Sequence, residues 1–238
     1  MNAALIAHAW RTPLGASLEA AMPAIHAGHR ATGTAPILGE PAKSRNARFL
    51  RRMGLFGCEV AAEALAAAGL AGGSRVGLFS GVGGLRVHWE DMITAFVAQR
   101  DDGERMWERG FKDVHPYWML RHLSNNVHAL ASVDLDLRGE GATFGGGNGG
   151  AQAIASASRA LHDGAVDAAL VVAYDTLLEP ETLAELAARQ SAIVPGEAAA
   201  AIVLVRERAG CPRLRARDAA GPDALARCAA FADDLYDD

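Results

Sequence analysis

Residues 139–175 constrain the fold more than any other part of this chain. They read GEGATFGGGNGG, then AQAIASASRALHDGAVD, then AALVVAYD: a short polar approach, five glycines around one asparagine, a helix of small residues and an apolar strand, without a break. Glycine in such a turn permits positive φ and close backbone approach, and a strand-to-helix turn is where α/β folds present reactive side chains. Asn148 is the only side chain of any length between Gly145 and Gly150, so it stands where the turn would offer a reactive group to the helix N-terminus. Orphan amides and the positive end of the helix dipole suit that spot to a thiolate or an oxyanion. A carboxamide donates and accepts hydrogen bonds but has no proton that a neighbouring base could usefully remove. The placement is catalytic in kind; the residue is not.

The rest of the chain alternates in the same way. Strands are predicted at Ala3–His8, Val76–Gly81, Gly141–Phe144, Ala168–Tyr174 and Ala199–Val205, and helices at 17–28, 48–69, 87–100, 148–162 and 180–188. Alternation of this kind predicts an α/β fold with a mixed to mostly parallel sheet covered on both faces. Half of the 238 residues are hydrophobic, enough to bury a sizeable core. A net charge of −5 with interspersed signs gives no reason to expect nucleic acid or a membrane as partner. The start, MNAALIAHAWRTPLG, has neither a basic n-region nor a full h-region, so cytoplasm is the expected compartment. Cys58, Cys211 and Cys228 are odd in number and lack C-x-x-C spacing, against a disulfide framework or a zinc site. Cys58 falls among Met53, Leu55, Phe56, Val60 and Leu65 on one helical face, as a packed core thiol does.

Several segments break the pattern. Residues 30–45 read as an irregular surface loop. Residues 99–126 run from charge into aromatics, among them Trp107, Phe111, Tyr117 and Trp118. Residues 209–238 form a weakly patterned tail with an acidic end and one candidate helix at 222–232, which leaves residues 1–208 as the principal domain. His26 and His29 are spaced as a pair without a third ligand, and read as a solvated helix end. Gly145, Gly147 and Gly150 also satisfy a G-x-G-x-x-G dinucleotide fingerprint, with Asp175 at the end of the next strand as a ribose ligand. Against that rival, GEGATF is short and polar for a buried strand, and about 140 residues precede it.

Motifs on both sides of the turn carry a different resemblance. Thr12-Pro13-Leu14-Gly15 after the first strand, Arg52-Met53 opening a helix, RVGLFSG at 75–81, LHDGAVD at 161–167 and Gly196-Glu197-Ala198 before an apolar strand occur in the order of matching motifs in the β-ketoacyl synthases. The chain resembles that family of the thiolase superfamily over residues 1–208, and the resemblance implies a thiolase-like layered fold built from a ketosynthase's N-terminal half. Gly139 then falls on the first glycine of the family's G-P-S motif and Asn148 on its nucleophilic cysteine. The family's two histidines lie further along, one in an H-G-T motif, and none of the eight histidines of this chain precedes Gly-Thr. What the resemblance implies is a truncated, non-condensing subunit without a catalytic residue or cofactor, resembling a chain-length factor of type II polyketide or aryl-polyene pathways. Its partner would be a catalytic ketosynthase in a heterodimer, with acyl carrier protein reaching the complex. The strand Gly141 to Gly146, with Thr143, Phe144 and Gly145, would pair with its counterpart in the partner, and Trp118, Met119 and Leu120 would lie at the dimer contact or tunnel wall. The outward face of the helix, with Ala151, Ile154, Ala155, Ser158 and Leu161, is mildly apolar and would be covered in a complete assembly.

Overall fold

The computed structural model describes residues 3–29, 32–83, 114–206 and 210–214, with the isolated positions 93, 97 and 112. The helices expected at 87–100 and 222–232, and Trp107, Phe111 and Cys228, lie outside these segments, apart from positions 93 and 97, which are helical. The remaining elements run β1 (Ala3–Arg11), α1 (Leu18–His26), α2 (Arg52–Ala67), β2 (Val76–Val82), α3 (Trp118–Arg121), α4 (Asn126–Asp134), β3 (Ala142–Gly145), α5 (Gly149–His162), β4 (Ala168–Thr176), α6 (Pro180–Ala188), β5 (Glu197–Arg206) and β6 (Arg213–Leu214).

One six-stranded sheet has the order β3-β2-β4-β5-β1-β6. The pairs β2/β3 and β2/β4 are parallel, whereas β5 runs antiparallel to both β4 and β1. The sheet is therefore more mixed than helix–strand alternation alone predicts. Thr176 at the end of β4 sits opposite Glu197 at the start of β5, so the α6 segment is a return at one end of two adjacent interior strands instead of a crossover. The two-residue β6, absent from the sequence reading, pairs with Ala3 and Ala4, too short a strand to leave a periodic signal.

Each face of the sheet carries a core. On one, α2 buries Met53, Phe56, Val60, Ala61, Ala64 and Leu65 with Leu78, Leu170, Val172 and Val203. On the other, α5 lays Ala153, Ala157, Ala160 and Leu161 on Phe79, Ala169, Val171 and Leu204. Small residues on α5 let the helix sit close to the strands. Its outward Ala151 and Ala155 are exposed, Ile154 is half-buried, and Ser158 and Leu161 turn inward to the core, so the outward face is narrower than the sequence suggests. Beside the C-terminal end of β4 Arg52 clamps β5 to the loop before α2, pairing with Glu197 and donating to the carbonyls of Ile37 and Gly39 at 2.7 and 2.9 Å. Whereas α2 starts at Arg52, four residues after the expected position 48, residues 32–45 hold no helix or strand, as expected for a surface loop. Ala35 nevertheless binds it to the start of β5. Among the described residues, no helix is long and apolar enough to cross a membrane.

Cys58 packs on the α2 core as expected, and burial pushes its thiol up to about 12. The unfolded chain ionises a cysteine near pH about 8.5 while the folded chain keeps this one neutral. Stability therefore falls as pH rises from that value through about 12. Peptide-level mass spectrometry after iodoacetamide treatment at pH 8 is expected to find Cys58 unmodified in the native chain and alkylated after denaturation. Modification of native Cys58 at the rate of a free thiol would contradict this burial.

Candidate functional site at the glycine-rich turn

The turn joins β3 to α5 at the C-terminal end of the parallel strands, where open α/β sheets bind ligands. Its glycines do three different jobs. Gly146 has φ +108°, in the region that favours glycine. Gly149 and Gly150 permit close approach: a Cβ on Gly149 would lie 2.9 Å from Phe144 O, and one on Gly81 would lie 2.5 Å from Gly149 C and Gly150 N. Gly145 and Gly147 face open space. The close helix–strand packing offered by Gly81 against the start of α5 comes from 68 residues upstream, and this is a contact that no local pattern reveals.

Asn148 is the N-cap of α5 and is exposed. Its side chain caps no first-turn amide; instead Asn148 Oδ1 accepts from Gln152 Nε2 at 3.0 Å. The first-turn amides of α5 thus lie beside a carboxamide held by its own helix.

β3 is an edge strand. Gly146 N–H donates to Val82 O at 2.9 Å, and ladder bonds alternate sides along a strand. Ala142 and Phe144 therefore direct their amides at β2, and Thr143 and Gly145 direct theirs outward, where no strand among the described residues meets them. Beneath β3 lies a polar contact that the sequence reading missed. Ser80, buried on β2, has its Oγ 2.9 Å from Thr143 Oγ1 and 3.3 Å from His128 Nδ1, and burial lowers the His128 pKa. Ser80 is 2% exposed, so its hydroxyl lies inside the fold, tying β3 to β2 through Thr143 and α4 to β2 through His128. Because the three residues lie 48 and 63 positions apart, only the topology brings them together.

Trp118, Met119 and Leu120 lie on α3, away from β3 in sequence and joined to it by none of the bonds above. Trp118 is half-buried with its ring 4.9 Å from that of His122, while Met119 and Leu120 are 71% and 44% exposed. Immediately after them, Arg121 to Ser124 form one wall of a cleft of about 430 Å³ whose other walls include Val82, Arg51 and Tyr174. The cleft and the turn meet at Val82. Gly150 faces Ala173 on the α5 side of β4, while Tyr174 packs toward Gly57 of α2, so the two features lie on opposite faces of the sheet.

The geometry also weighs against a dinucleotide site. The turn that holds Gly145, Gly147 and Gly150 follows a short, half-buried edge strand, whereas the fingerprint turn of a dinucleotide fold follows a central strand. Asp175 lies against Gly83, where a Cβ would stand 1.7 Å from its Oδ2.

Comparison with known proteins agrees with this architecture. The family described as beta-ketoacyl synthase, N-terminal domain matches residues 39–197. A type II polyketide synthase acyl-carrier protein in complex with its hexaketide-bound ketosynthase aligns at TM-score 0.75 and 19% identity, covering 95% of this chain and 71% of that one. A ketosynthase in complex with its chain length factor from Xenorhabdus doucetiae aligns at TM-score 0.64 and 16% identity, over 87% of this chain and 58% of that one. The ishigamide ketosynthase/chain length factor aligns at 0.65 and 17% identity, over 90% and 65%. This chain spans less than two thirds of the length of the latter two. No curated protein sequence matches it.

Proposed function

From its membership of the β-ketoacyl synthase family, whose N-terminal domain it carries at residues 39–197, we propose that this chain is a non-condensing subunit that pairs with a catalytic ketosynthase. The observation that carries the proposal is Asn148. It stands at the N-terminus of α5, at the position the family motif gives to the nucleophilic cysteine, and it cannot form the acyl thioester that condensation requires. What the chain retains is the shape around that position. The turn is intact, the α5 amides are in place, and β3 ends the sheet with the outward amides of Thr143 and Gly145 available for a partner strand. Gly141, Phe144 and Gly146 complete that edge, and Trp118, Met119 and Leu120 extend the contact or the wall of the partner's acyl tunnel. Two of the solved structures it resembles are ketosynthases with chain length factors, which supports a role of this kind in acyl or polyketide assembly, including aryl-polyene formation. In that role acyl carrier protein delivers the growing chain to the partner.

Acyl transfer tests the chemistry. Incubated with an acyl-loaded carrier protein, the native chain is expected to acquire no acyl group by intact mass, while a catalytic ketosynthase alongside it does. In the Asn148→Cys variant, position 148 becomes an exposed thiol at the positive end of α5, where its pKa falls. Iodoacetamide is expected to alkylate it at least about tenfold faster than Cys58, yet with no histidine of this sequence preceding Gly-Thr the variant still condenses nothing. An acylated native chain, or condensation by this variant alone, would overturn the proposal.

A further inference from the structure

Among the described residues of the cleft beyond Val82, three arginines face three acids, and one of the arginines meets none of them. Arg52 pairs with Glu197, and Arg51 stands 3.7 Å from Glu179. Asp175, the remaining acid among the described wall residues, lies against Gly83. Arg121 has no such partner: its backbone is used by Tyr117 and Asn126, its guanidinium enters no ion pair among the described residues, and its Nε is buried without an acceptor. A half-buried guanidinium is costly unless an anion meets it, and its planar fork suits a carboxylate.

The walls narrow the choice of anion. Met53, Val82, Leu123 and Leu178 supply apolar surface, and Asp175, Glu179 and Glu197 oppose a second negative charge. Among the described residues, one unpaired arginine beside apolar walls fits a monoanion with a hydrocarbon tail better than inorganic phosphate. A volume of about 430 Å³ lies within the range of small-molecule sites. We propose that this cleft binds a small aliphatic carboxylate, with Arg121 holding the carboxylate end-on and Met53, Val82, Leu123 and Leu178 taking the chain.

Calorimetric titration of the full chain with hexanoate, hexan-1-ol and inorganic phosphate tests this. Hexanoate is expected to bind saturably at one site, with hexan-1-ol at least about tenfold weaker for lack of the charge and phosphate weaker for lack of the tail. Arg121→Met is expected to erase the preference for hexanoate over hexan-1-ol. Equal binding of acid and alcohol, phosphate binding tighter than hexanoate, undiminished hexanoate binding by the variant, or no saturable binding would each overturn the assignment. Should the variant not fold, the Arg121 Nε–H resonance of the native chain decides: it shifts on addition of hexanoate, and an unmoved resonance overturns the assignment. Both measurements use the chain alone, so their failure leaves the pairing proposal standing.

Discussion

Replacing Gly145 with proline is expected to abolish assembly with a ketosynthase while leaving the chain itself folded. The expectation follows from the direction of one amide. Gly146 N–H is bonded to Val82, so alternation sends the amide of Gly145 away from the sheet. Proline there removes a donor that β2 never used, and its ring occupies the space a partner strand would enter. Nothing lies within 4 Å of a Cβ at Gly145, and Phe144 before it is already extended, as a residue preceding proline must be. Affinity for the partner should fall by more than about tenfold, given the loss of ladder bonds at a short edge. The thermal midpoint of the isolated chain should hardly move. Phe144→Pro is the control with the opposite geometry: it deletes an inward amide and a half-buried ring, and is expected to destabilise the chain alone. Equal pairing by native chain and Gly145→Pro would remove β3 from the interface.

Gly81→Ala carries the second large effect, and here the isolated chain should suffer. A Cβ at Gly81 would stand 2.5 Å from the backbone of Gly149 and Gly150, and backbone cannot rotate out of the way as a side chain can. The first turn of α5 has to retreat from β2, carrying Asn148 with it. Overpacking of this kind costs about 1–3 kcal/mol or more, a fall in thermal midpoint on the order of 5 °C for a chain of this size. Gly147→Ala, in open space, should stay within about 0.5 kcal/mol of the native chain. Denaturant titration of the two variants separates packing glycines from permissive ones. A Gly81→Ala variant as stable as Gly147→Ala would show that the close approach of strand and helix is not required.

Much of this architecture is legible in the sequence because the signals are local. The apolar run AALVVAY makes β4, the small-residue stripe of residues 149–162 makes α5, and five glycines mark the turn between β3 and that helix. Asn148 itself was readable, since a lone side chain among glycines at a helix start has few places to be. What resisted reading depends on distance along the chain. The fit of Gly81 under α5 and the contact of Ser80 with Thr143 and His128 all join elements separated by dozens of residues. So does the antiparallel placement of β5. Arg121 is hidden for another reason: a charged residue in an aromatic segment looks solvated until the cleft around it is seen, where Arg51 and Arg52 already pair with Glu179 and Glu197.

Native mass spectrometry after co-expression with the ketosynthase encoded nearest to this chain addresses pairing without chemistry in a single experiment. A one-to-one complex is expected, with the acyl adduct on the ketosynthase and none on this chain. A monomer of this chain beside an unpaired, fully active ketosynthase, or an acyl adduct carried by this chain, would contradict it.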